Sequence, residues 1–392
     1  MKKIVSMFLV LAMLLCAAAF AEGVAPENIK MGLICIGDEN SGYDVNFIDA
    51  TKKALDSLGL SESQLVIRFN AGDGEGAEDA AVELAEQGCN FIFADSYGHE
   101  GYVQLVAADY PEIQFSHATG DKAAASGLAN FHNAFASIYE GRYVAGVVAG
   151  MKLNQMIADG KITADQAKIG YVGAFPFAEV ISGFTSFFLG ARSVCPTATM
   201  TVQYINNWGD FGMEKEAAEA LIGNYNCVLI SQHADTTGEA TACEAAGVPV
   251  VGYNISMIPT APTCALVSSR IDWSAYIAMA LQAVMDGENY DTDWCQGFAE
   301  GAVALTELNE AAVAEGTAEA VEDVKAKLIS GEIKVFDTST FTIGGLTPEE
   351  FAQTEEGAAY ADYIYDGEFH ESEVRSAPYF NLIIDGIEVL SE

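Results

Sequence analysis

The chain has 392 residues and a formal charge of −38, with 18 Lys and Arg against 56 Asp and Glu. A surface this acidic repels nucleic-acid backbones and anionic membranes, which argues against either as a partner. The acidic residues are spread along the chain, so the charge indicates solubility more than it indicates a ligand. The length exceeds the size at which a single core keeps growing, which predicts two lobes.

The first 21 residues are typical of an export signal. Lys2 and Lys3 precede an apolar run that ends at Leu15, and Ala19-Phe20-Ala21 forms a small-x-small cleavage site before Glu22. We therefore expect the mature protein to begin at Glu22 and to work in the periplasm or at the cell surface. No later stretch of the sequence is long and apolar enough to cross a bilayer.

Cysteine usage leaves two questions open. Cys16 would allow membrane tethering through a lipid, but Leu15 stands before it where lipoprotein signals have a small residue, so soluble export is favoured. The seven cysteines after the signal contain no CxxC pair, and their odd number excludes a closed disulfide framework. We expect mainly buried free thiols, with one bridge left open, among Cys35, Cys89, Cys195, Cys227, Cys243, Cys264 and Cys295.

The first half of the chain alternates strand-like and helix-like segments, which predicts a doubly wound α/β lobe. Met31 to Ile36 is a continuous apolar run of the kind found in central parallel strands, and a turn-rich segment follows it. The predicted strands cover 31–36, 65–69, 90–94 and 113–117, and the predicted helices cover 47–58, 78–87 and 102–109.

A second set of such units follows a long helix predicted from about Ala134 to Leu153. Gly141, Gly146 and Gly150 in that helix indicate close packing against a neighbour. The predicted strands then cover 168–173, 199–204, 227–231 and 248–253, and the predicted helices cover 179–192, 213–221 and 239–246. The second lobe thus shares the architecture of the first.

The remaining segments fix the predicted domain boundaries. A strand at 265–269 and a helix at 275–286 are expected to return to the first lobe, and a helix at 323–330 and a strand at 333–337 follow. We assign 28–118 plus 265–290 to the N-terminal lobe and 130–254 plus part of 291–345 to the C-terminal lobe. Residues 346–392 are predicted to form an extension packed on the lobes, with Ser376 to Phe380 as a packed loop.

The segment from Lys168 to Arg192 combines a buried strand, an aromatic loop and an amphipathic helix. Phe175 and Phe177 flank Pro176 at the carboxyl end of the strand, where open α/β sheets place their ligands. Neither ring belongs to the apolar stripe of the following helix, so something else must cover them. Packing under a neighbouring loop and contact with a ligand are both open at this point.

Enzyme signatures are poorly represented in the sequence. It contains no GxxxxGK[ST] loop, no GxSxG elbow and no HExxH helix. Five histidines are scattered singly, and none has metal-ligand spacing to another His or Cys. We predict no catalytic residue, no metal site and no cofactor.

Polar and aromatic side chains instead follow the predicted strands of both lobes, where a core residue has no reason to be charged. Aromatic rings offer faces to a planar ligand, while Asp and Asn can bind ring nitrogens or sugar hydroxyls. These side chains are expected to converge on one crevice. The predicted ligand-binding residues are Tyr43, Asp44, Asn46, Phe47, Asp95, Ser96, Tyr97, His99, Phe175, Phe177, Trp208, Asp210, His233, Asp235, Asn254 and Arg270.

Several blocks of the sequence resemble the basic membrane protein family, the purine nucleoside receptor A-like binding proteins of ABC importers. The blocks are GDENSGYDVNFIDATKKAL, FADSYGHEG, NFHNAFASIYEGRYVAGVVAGMK, KIGYVGAFPFAEVISGFTSFFLGARSV and a WGD segment followed by KEAAEALI. The resemblance covers nearly all of the mature chain. It implies a periplasmic-binding-protein type I fold, in which two Rossmann-like lobes joined by hinge strands close over a nucleoside or related cargo.

The resemblance also implies roles for particular positions. The aromatic and acidic contacts of the family's first loop fall on Tyr43, Asp44, Asn46 and Phe47, and its stacking aromatic falls on Phe175 or Phe177. Asn254 stands where the family has an acid, and an amide both donates and accepts hydrogen bonds whereas a carboxylate only accepts. The family's lysine after the next strand has no clear match, and Arg270 is the nearest cation.

Three functions remain as hypotheses. The first is a monomeric receptor that delivers a nucleoside, nucleobase or similar heteroaromatic solute to an ABC permease. The second keeps the fold but binds a sugar or signal molecule through Trp208, Asp210 and His233. The third is an exported hydrolase with Asp95 and Asp235 as paired carboxylates, for which the missing motifs give no support.

Overall fold

The computed structural model describes residues 23–390, so the predicted export signal and Cys16 lie outside the described part of the chain. The strands are β1 Met31–Ile34, β2 Leu65–Arg68, β3 Phe91–Ala94, β4 Gln114–Ala118, β5 Phe131–Ala136, β6 Lys168–Gly173, β7 Thr199–Tyr204, β8 Leu229–His233, β9 Val250–Tyr253, β10 Ala265–Ile271, β11 Asp293–Gln296, β12 Val303–Leu305, β13 Ile364–Tyr365, β14 Glu368–Phe369 and β15 Ile387–Val389. The α-helices are α1 Gly42–Ser57, α2 Glu75–Glu86, α3 Glu100–Asp109, α4 Ala123–Ser126, α5 Ile138–Ala158, α6 Ala178–Val194, α7 Phe211–Gly223, α8 Gly238–Ala246, α9 Ser274–Asp286, α10 Thr317–Ile329 and α11 Pro348–Phe351. Short 3-10 helices lie at Pro26–Asn28, Glu62–Gln64, Tyr97–His99, Ala164–Gln166 and Gly357–Tyr363.

The chain divides into two units. Unit 1 contains residues 23–40, Phe47–Phe135 and Trp273–Trp294, and unit 2 contains Ser41–Asn46, Ala136–Asp272 and residues 295–390. Each unit has its own main β-sheet.

The sheet of unit 1 has the strand order β11-β5-β4-β3-β1-β2. Strands β1 to β5 pair in parallel, with Met31 opposite both Leu65 of β2 and Phe91 of β3. Strands β1 and β3 are buried along their whole length, which explains why their sequences are continuous apolar runs.

The sheet of unit 2 has the order β12-β10-β9-β8-β6-β7-β15. Strands β6 to β10 are parallel, β12 pairs antiparallel with β10, and β15 adds in parallel to β7. The core order β7-β6-β8-β9-β10 repeats the β2-β1-β3-β4-β5 order of unit 1. Both are the doubly wound 2-1-3-4-5 arrangement, in which the strand order reverses between the first and third strands of the unit and ligands bind at that reversal.

Helices α5 and α6 lie unusually close together in unit 2. A Cβ added to Gly146 of α5 would lie 2.0 Å from the Phe187 carbonyl oxygen, and one added to Gly190 of α6 would lie 2.0 Å from the Tyr143 carbonyl oxygen. Glycine is therefore required on both helices for their backbones to touch. This packing fixes α5 against the helix that starts directly after β6.

The prediction of a helix from Ala134 was wrong at its start. Phe131–Ala136 forms β5, and helix α5 begins only at Ile138. All six residues of β5 are buried, so the strand has no polar and apolar alternation to reveal it. Its apolar residues also recur at spacings of three and four, which imitates the pattern of the helix that follows.

The assignment of 265–290 to the first lobe differs from the observed arrangement. Strand β10 pairs with β9 and β12 in the sheet of unit 2, and the chain joins unit 1 only from Trp273 onward, with α9. The apolar run of β10 predicts a strand but carries no information about which sheet it joins. Residues 333–337 also form no strand, because only Asp337 makes an isolated bridge, to Glu368.

The C-terminal segment belongs to unit 2 and is well packed. Phe380 is buried and stacks on Phe336 with ring centroids 4.6 Å apart. The buried carboxylate of Glu371 accepts a hydrogen bond of 2.6 Å from the Phe380 backbone N–H. The prediction of a packed loop from Ser376 to Phe380 agrees with this burial.

Two further features of the described chain are the state of its cysteines and the length and polarity of its helices. Between residues 23 and 390, no disulfide joins any of the seven cysteines, and six of them are buried. Among the same residues, every helix is too short or too polar to span a membrane.

Candidate functional site

Three aromatic rings meet at the carboxyl end of β6 in unit 2, beside the reversal of strand order. Phe175 and Phe177 stack with centroids 5.0 Å apart and ring planes 10° from parallel. Trp208, from the loop before α7, lies 5.6 Å from Phe175 and 6.3 Å from Phe177. Phe175 also packs on the core, whereas Phe177 is 45 % exposed, so this aromatic cluster keeps an open face.

His233 ends β8 directly across the reversal and is fully buried. Its ring lies 6.2 Å from Trp208 and 4.7 Å from Tyr253, and its Nε2 is 3.4 Å from Glu179 Oε1. Burial and, second, the charge of Arg142 hold the pKa of His233 well below its ordinary value. His233 is therefore a neutral imidazole at physiological pH.

Arg142 of α5 is the charged centre of the site. Its side chain is 1 % exposed, its guanidinium carbon lies 3.7 Å from the centre of the Tyr253 ring, and Nη1 donates a 2.8 Å hydrogen bond to the Gln232 carbonyl. Nε and Nη2 have no hydrogen-bond partner within residues 23–390. A buried cation with unused donors is costly unless another group accepts from them.

Two carboxyl groups near Arg142 titrate far from their ordinary range. Burial raises the pKa of Glu179 to about 7, although the charge of Arg142 opposes the rise. The pKa of Asp235 is raised well above its ordinary value by burial and then by the charges of Glu214, Glu179 and Asp44. Burial thus favours the neutral form of both carboxyl groups, and at neutral pH Glu179 is close to half-protonated and can donate as well as accept hydrogen bonds.

Two further predicted residues lie near the end of the unit 2 sheet strands: Asn254 directly follows β9, and Arg270 lies on β10. Asn254 has a φ of +60°, a left-handed conformation that Asn tolerates, and its backbone N–H donates 2.9 Å to the Ser269 carbonyl. Asn254 Nδ2 and Arg270 Nε are buried without hydrogen-bond partners in the described chain. Both side chains thus have unused donors at the carboxyl edge of the sheet.

Asp210 has a structural role instead. It is the N-cap residue of α7, and its Oδ1 accepts a 2.9 Å hydrogen bond from the Met213 backbone N–H. A carboxylate in this position stabilises the start of the helix, and the oxygen that accepts this bond is less available to a ligand.

The predicted residues at the start of α1 serve different purposes. Asn46 Nδ2 donates 2.9 Å to the Ile271 carbonyl, and Phe47 is a core residue of unit 1 that stacks on Trp273 at 4.6 Å. Asp44 is fully buried, and Tyr43 lies one residue before it in the first turn. Within this group, Phe47 belongs to the hydrophobic core.

The other predicted residues of unit 1 cluster after β3. Asp95 Oδ1 accepts from the Ile36 N–H at 3.0 Å, Ser96 Oγ donates to Asp73 Oδ1 at 3.0 Å, and His99 Nε2 lies 2.9 Å from the Gly72 carbonyl. These bonds join the loops after β1, β2 and β3. Tyr97 is 57 % exposed.

Sequence reasoning missed Arg142, Glu179 and Tyr253 as site residues. Arg142 had a usable signal, because it is a lone charge in the otherwise apolar, glycine-rich stretch GRYVAGVVAG of α5. Glu179 looked like an ordinary acidic residue in the first turn of a helix, where carboxylates are favoured anyway. Tyr253 ends an apolar strand, so its sequence context did not mark it as a site residue.

Comparison with known proteins agrees with this architecture. The sequence profile of the family described as ABC transporter substrate-binding protein PnrA-like matches residues 36–339. A purine-binding protein of Brucella abortus (strain 2308) is 32% identical over 313 residues, which cover 80% of this chain and 84% of that protein. A Haloferax volcanii protein provisionally named an ABC transporter glucose-binding protein is 31% identical over 265 residues, covering 68% of this chain and 63% of that protein.

A solved structure gives the same result for the fold. The ABC transporter solute-binding protein of Conexibacter woesei DSM 14684 aligns with a TM-score of 0.64 at 20% identity, over 78% of this chain and 98% of that one. The chain therefore belongs to the PnrA-like family of ABC transporter substrate-binding proteins and has a periplasmic-binding-protein type I fold.

Proposed function

We propose that this substrate-binding protein binds a purine, as a free base or a nucleoside, and delivers it to an ABC permease. The observation that carries the proposal is the open aromatic cluster of Phe175, Phe177 and Trp208 next to the buried polar groups of Arg142 and His233. Rings of this kind stack on a planar heterocycle, and the polar groups can bind its nitrogen and oxygen atoms. The name of the Brucella abortus relative supports the same ligand class.

The proposal includes the setting in which the protein acts. Export directed by residues 1–21 would place it outside the cytoplasm, with or without a lipid at Cys16. There we propose that it acts as a monomeric carrier without catalytic activity, in keeping with a site built from stacking rings and hydrogen-bonding groups. Tyr43, Asp44, Asp95, Tyr97, Asn254 and Arg270 remain proposed ligand contacts.

A ligand panel tests the proposal by thermal unfolding of the mature protein. Purine bases and nucleosides are compared with pentoses and hexoses at equal concentration. A ligand at 100 times its dissociation constant stabilises the folded protein by about 2.7 kcal/mol, which is readily measured as a rise in Tm. We expect the rise with at least one purine; a rise with sugars alone would contradict the proposal.

A sugar is the second candidate, and the provisional name of the Haloferax volcanii relative favours it. Trp208 could stack on a pyranose, as aromatic rings in sugar sites do. Of the two polar partners named for that role, Asp210 is poorly suited because its Oδ1 caps α7. The sugar arm of the same panel decides between the two ligand classes.

A further inference from the structure

The unused donors of Arg142 define what the ligand must offer. Nε and Nη2 lie on the same side of the guanidinium, and together they form the side-on fork that binds two neighbouring acceptors in one plane. Both atoms are buried, and neither finds an acceptor among residues 23–390. The third nitrogen, Nη1, is already bound to the Gln232 carbonyl.

The guanidinium is held before any ligand arrives. The face of Tyr253 lies 3.7 Å from its central carbon, and the bond to the Gln232 carbonyl fixes its rotation. Nε also lies 3.7 Å from the point that a Cβ on Gly183 would occupy, which places the fork beside the first turns of α6. A preorganised fork loses little entropy on binding and tolerates little change in the acceptor pattern.

Continuous contacts connect this fork with the aromatic cluster. Tyr253, under the guanidinium, touches His233 at 4.7 Å between ring centroids, and His233 touches Trp208 at 6.2 Å. Trp208 in turn packs on Phe175 and Phe177. A planar ligand that extends from Trp208 toward His233 would bring one edge toward the donors of Arg142.

The two common classes of purine differ at that edge. A 6-oxopurine presents two acceptors, O6 and N7, which is the pair that arginine binds bidentately in guanine. A 6-aminopurine presents N7 beside an amino donor, which would face the donors of Arg142 and leave one of them unpaired.

We infer that the site selects 6-oxopurines, with Arg142 Nε and Nη2 donating to the O6 and N7 of hypoxanthine, guanine or their nucleosides. This specificity rests on the proposed function, since it presumes that the ligand is a purine. Arg142 is then the residue that determines specificity, while the aromatic cluster supplies stacking energy common to all purines.

Calorimetric titration of the wild-type mature protein tests the selectivity directly. Hypoxanthine is compared with adenine and inosine with adenosine, so that the base class and the sugar requirement are separated. We expect the 6-oxo compound to bind about ten- to a hundredfold more tightly in at least one pair. 7-Deazahypoxanthine, which lacks the N7 acceptor, should bind at least about tenfold more weakly than hypoxanthine.

Variants identify the residue responsible. Because Gln pairs with the N6 and N7 of adenine, Arg142→Gln should reverse the preference toward the 6-amino compound, and Arg142→Lys should weaken 6-oxopurine binding by losing the fork. Arg192→Gln, at the far end of α6, is the matched control and should leave the preference unchanged. Circular dichroism establishes that each variant is folded.

The outcomes separate this inference from the proposed function. Equal or tighter binding of the 6-amino compound in both pairs by the wild-type protein would overturn the 6-oxo selectivity and leave a purine receptor. If 7-deazahypoxanthine bound the wild-type protein as tightly as hypoxanthine does, the role of the Arg142 fork would be overturned without recourse to a variant. Absence of binding to every purine would overturn both.

Discussion

At the scale of single residues, the site depends on a few side chains that are buried without being satisfied. Arg142, His233 and Asn254 each have polar atoms that are buried and have no hydrogen-bond partner in the described chain. Such atoms cost free energy in the unliganded protein, so they are expected where a ligand will satisfy them. Asp210 and His99, whose polar atoms are satisfied locally, lack that signature.

Trp208 should report ligand binding through its fluorescence. It lies in the aromatic cluster, whereas Trp273 and Trp294 are buried in unit 1, so a stacked purine changes mainly the environment of Trp208. We expect purine titration to quench the emission of the wild-type protein. Trp208→Phe should abolish the quenching while keeping purine affinity within about 1 kcal/mol of wild type, since a stacking ring remains.

Trp294→Phe is the matched control for this experiment. It removes a tryptophan of similar chemistry from unit 1 and should leave the quenching intact. Full quenching in Trp208→Phe would place the ligand away from the aromatic cluster.

Glu371 should make stability depend on pH. Burial raises its pKa to about 7, from an ordinary value of 4.5, so the folded protein holds this proton more tightly than the unfolded chain. Its contribution is fully present below pH 4.5 and is lost as the pH rises through 7. The loss amounts to about 3 kcal/mol of unfolding free energy by pH 8.

Urea unfolding at pH 5 to 8 measures this loss by difference. Glu371→Gln cannot ionise, so its unfolding free energy should fall less over this range than that of wild type. All other titrating groups are common to the two proteins and cancel. Parallel pH profiles would show that Glu371 is not held in its neutral form by the fold.

The residues of the site were predictable where they follow a strand. Parallel strands bring the residues at and after their carboxyl ends to one edge, as at β6, β7 and β8 for Phe175, Phe177, Trp208, His233 and Asp235. Arg142 was not predictable in this way, because it comes from a helix packed on the sheet and binds a carbonyl 90 residues away. No local pattern encodes that distance.

At the scale of elements, the contact between α5 and α6 holds Arg142 in place. The two helices approach until the backbone of one touches a glycine of the other, at Gly146 and Gly190. Side chains at these positions would push the helices apart and move Arg142 relative to the start of α6.

Gly146→Ala should therefore destabilise the protein by about 1 to 3 kcal/mol or more, the usual cost of overpacking. Gly101→Ala in α3 is the matched control, since an added Cβ there meets no atom within 4 Å. That control should stabilise by about 0.5 to 1 kcal/mol, because alanine restricts the unfolded chain. Urea unfolding measures both, and equal small effects would contradict the close packing.

Most helices and strands were predictable from the sequence, but some assignments were wrong for physical reasons. Strands that are buried along most of their length, such as β1 and β6, are recognisable as short apolar runs between turn residues. Strand β5 was merged with α5, because burial on both faces removes the alternation that marks a strand. The sheet that β10 joins is decided by tertiary pairing with β9 and β12, which the local sequence does not specify.

At the scale of the whole molecule, two units with the same strand order, a PnrA-like sequence and an acidic surface describe a solute-binding protein. The acidity argues against nucleic-acid polymers as partners but imposes little on a small neutral solute, whose binding depends on the local site. The coarse function follows from the family, and the proposed purine ligand rests on the chemistry of unit 2.

Native mass spectrometry of the mature protein as purified, before and after addition of hypoxanthine and inosine, tests the central claim most directly. We expect a one-to-one complex whose released ligand fragments as a purine, either retained from the host or formed on addition. A protein that carries a sugar, or that gains no mass with any purine, would contradict it.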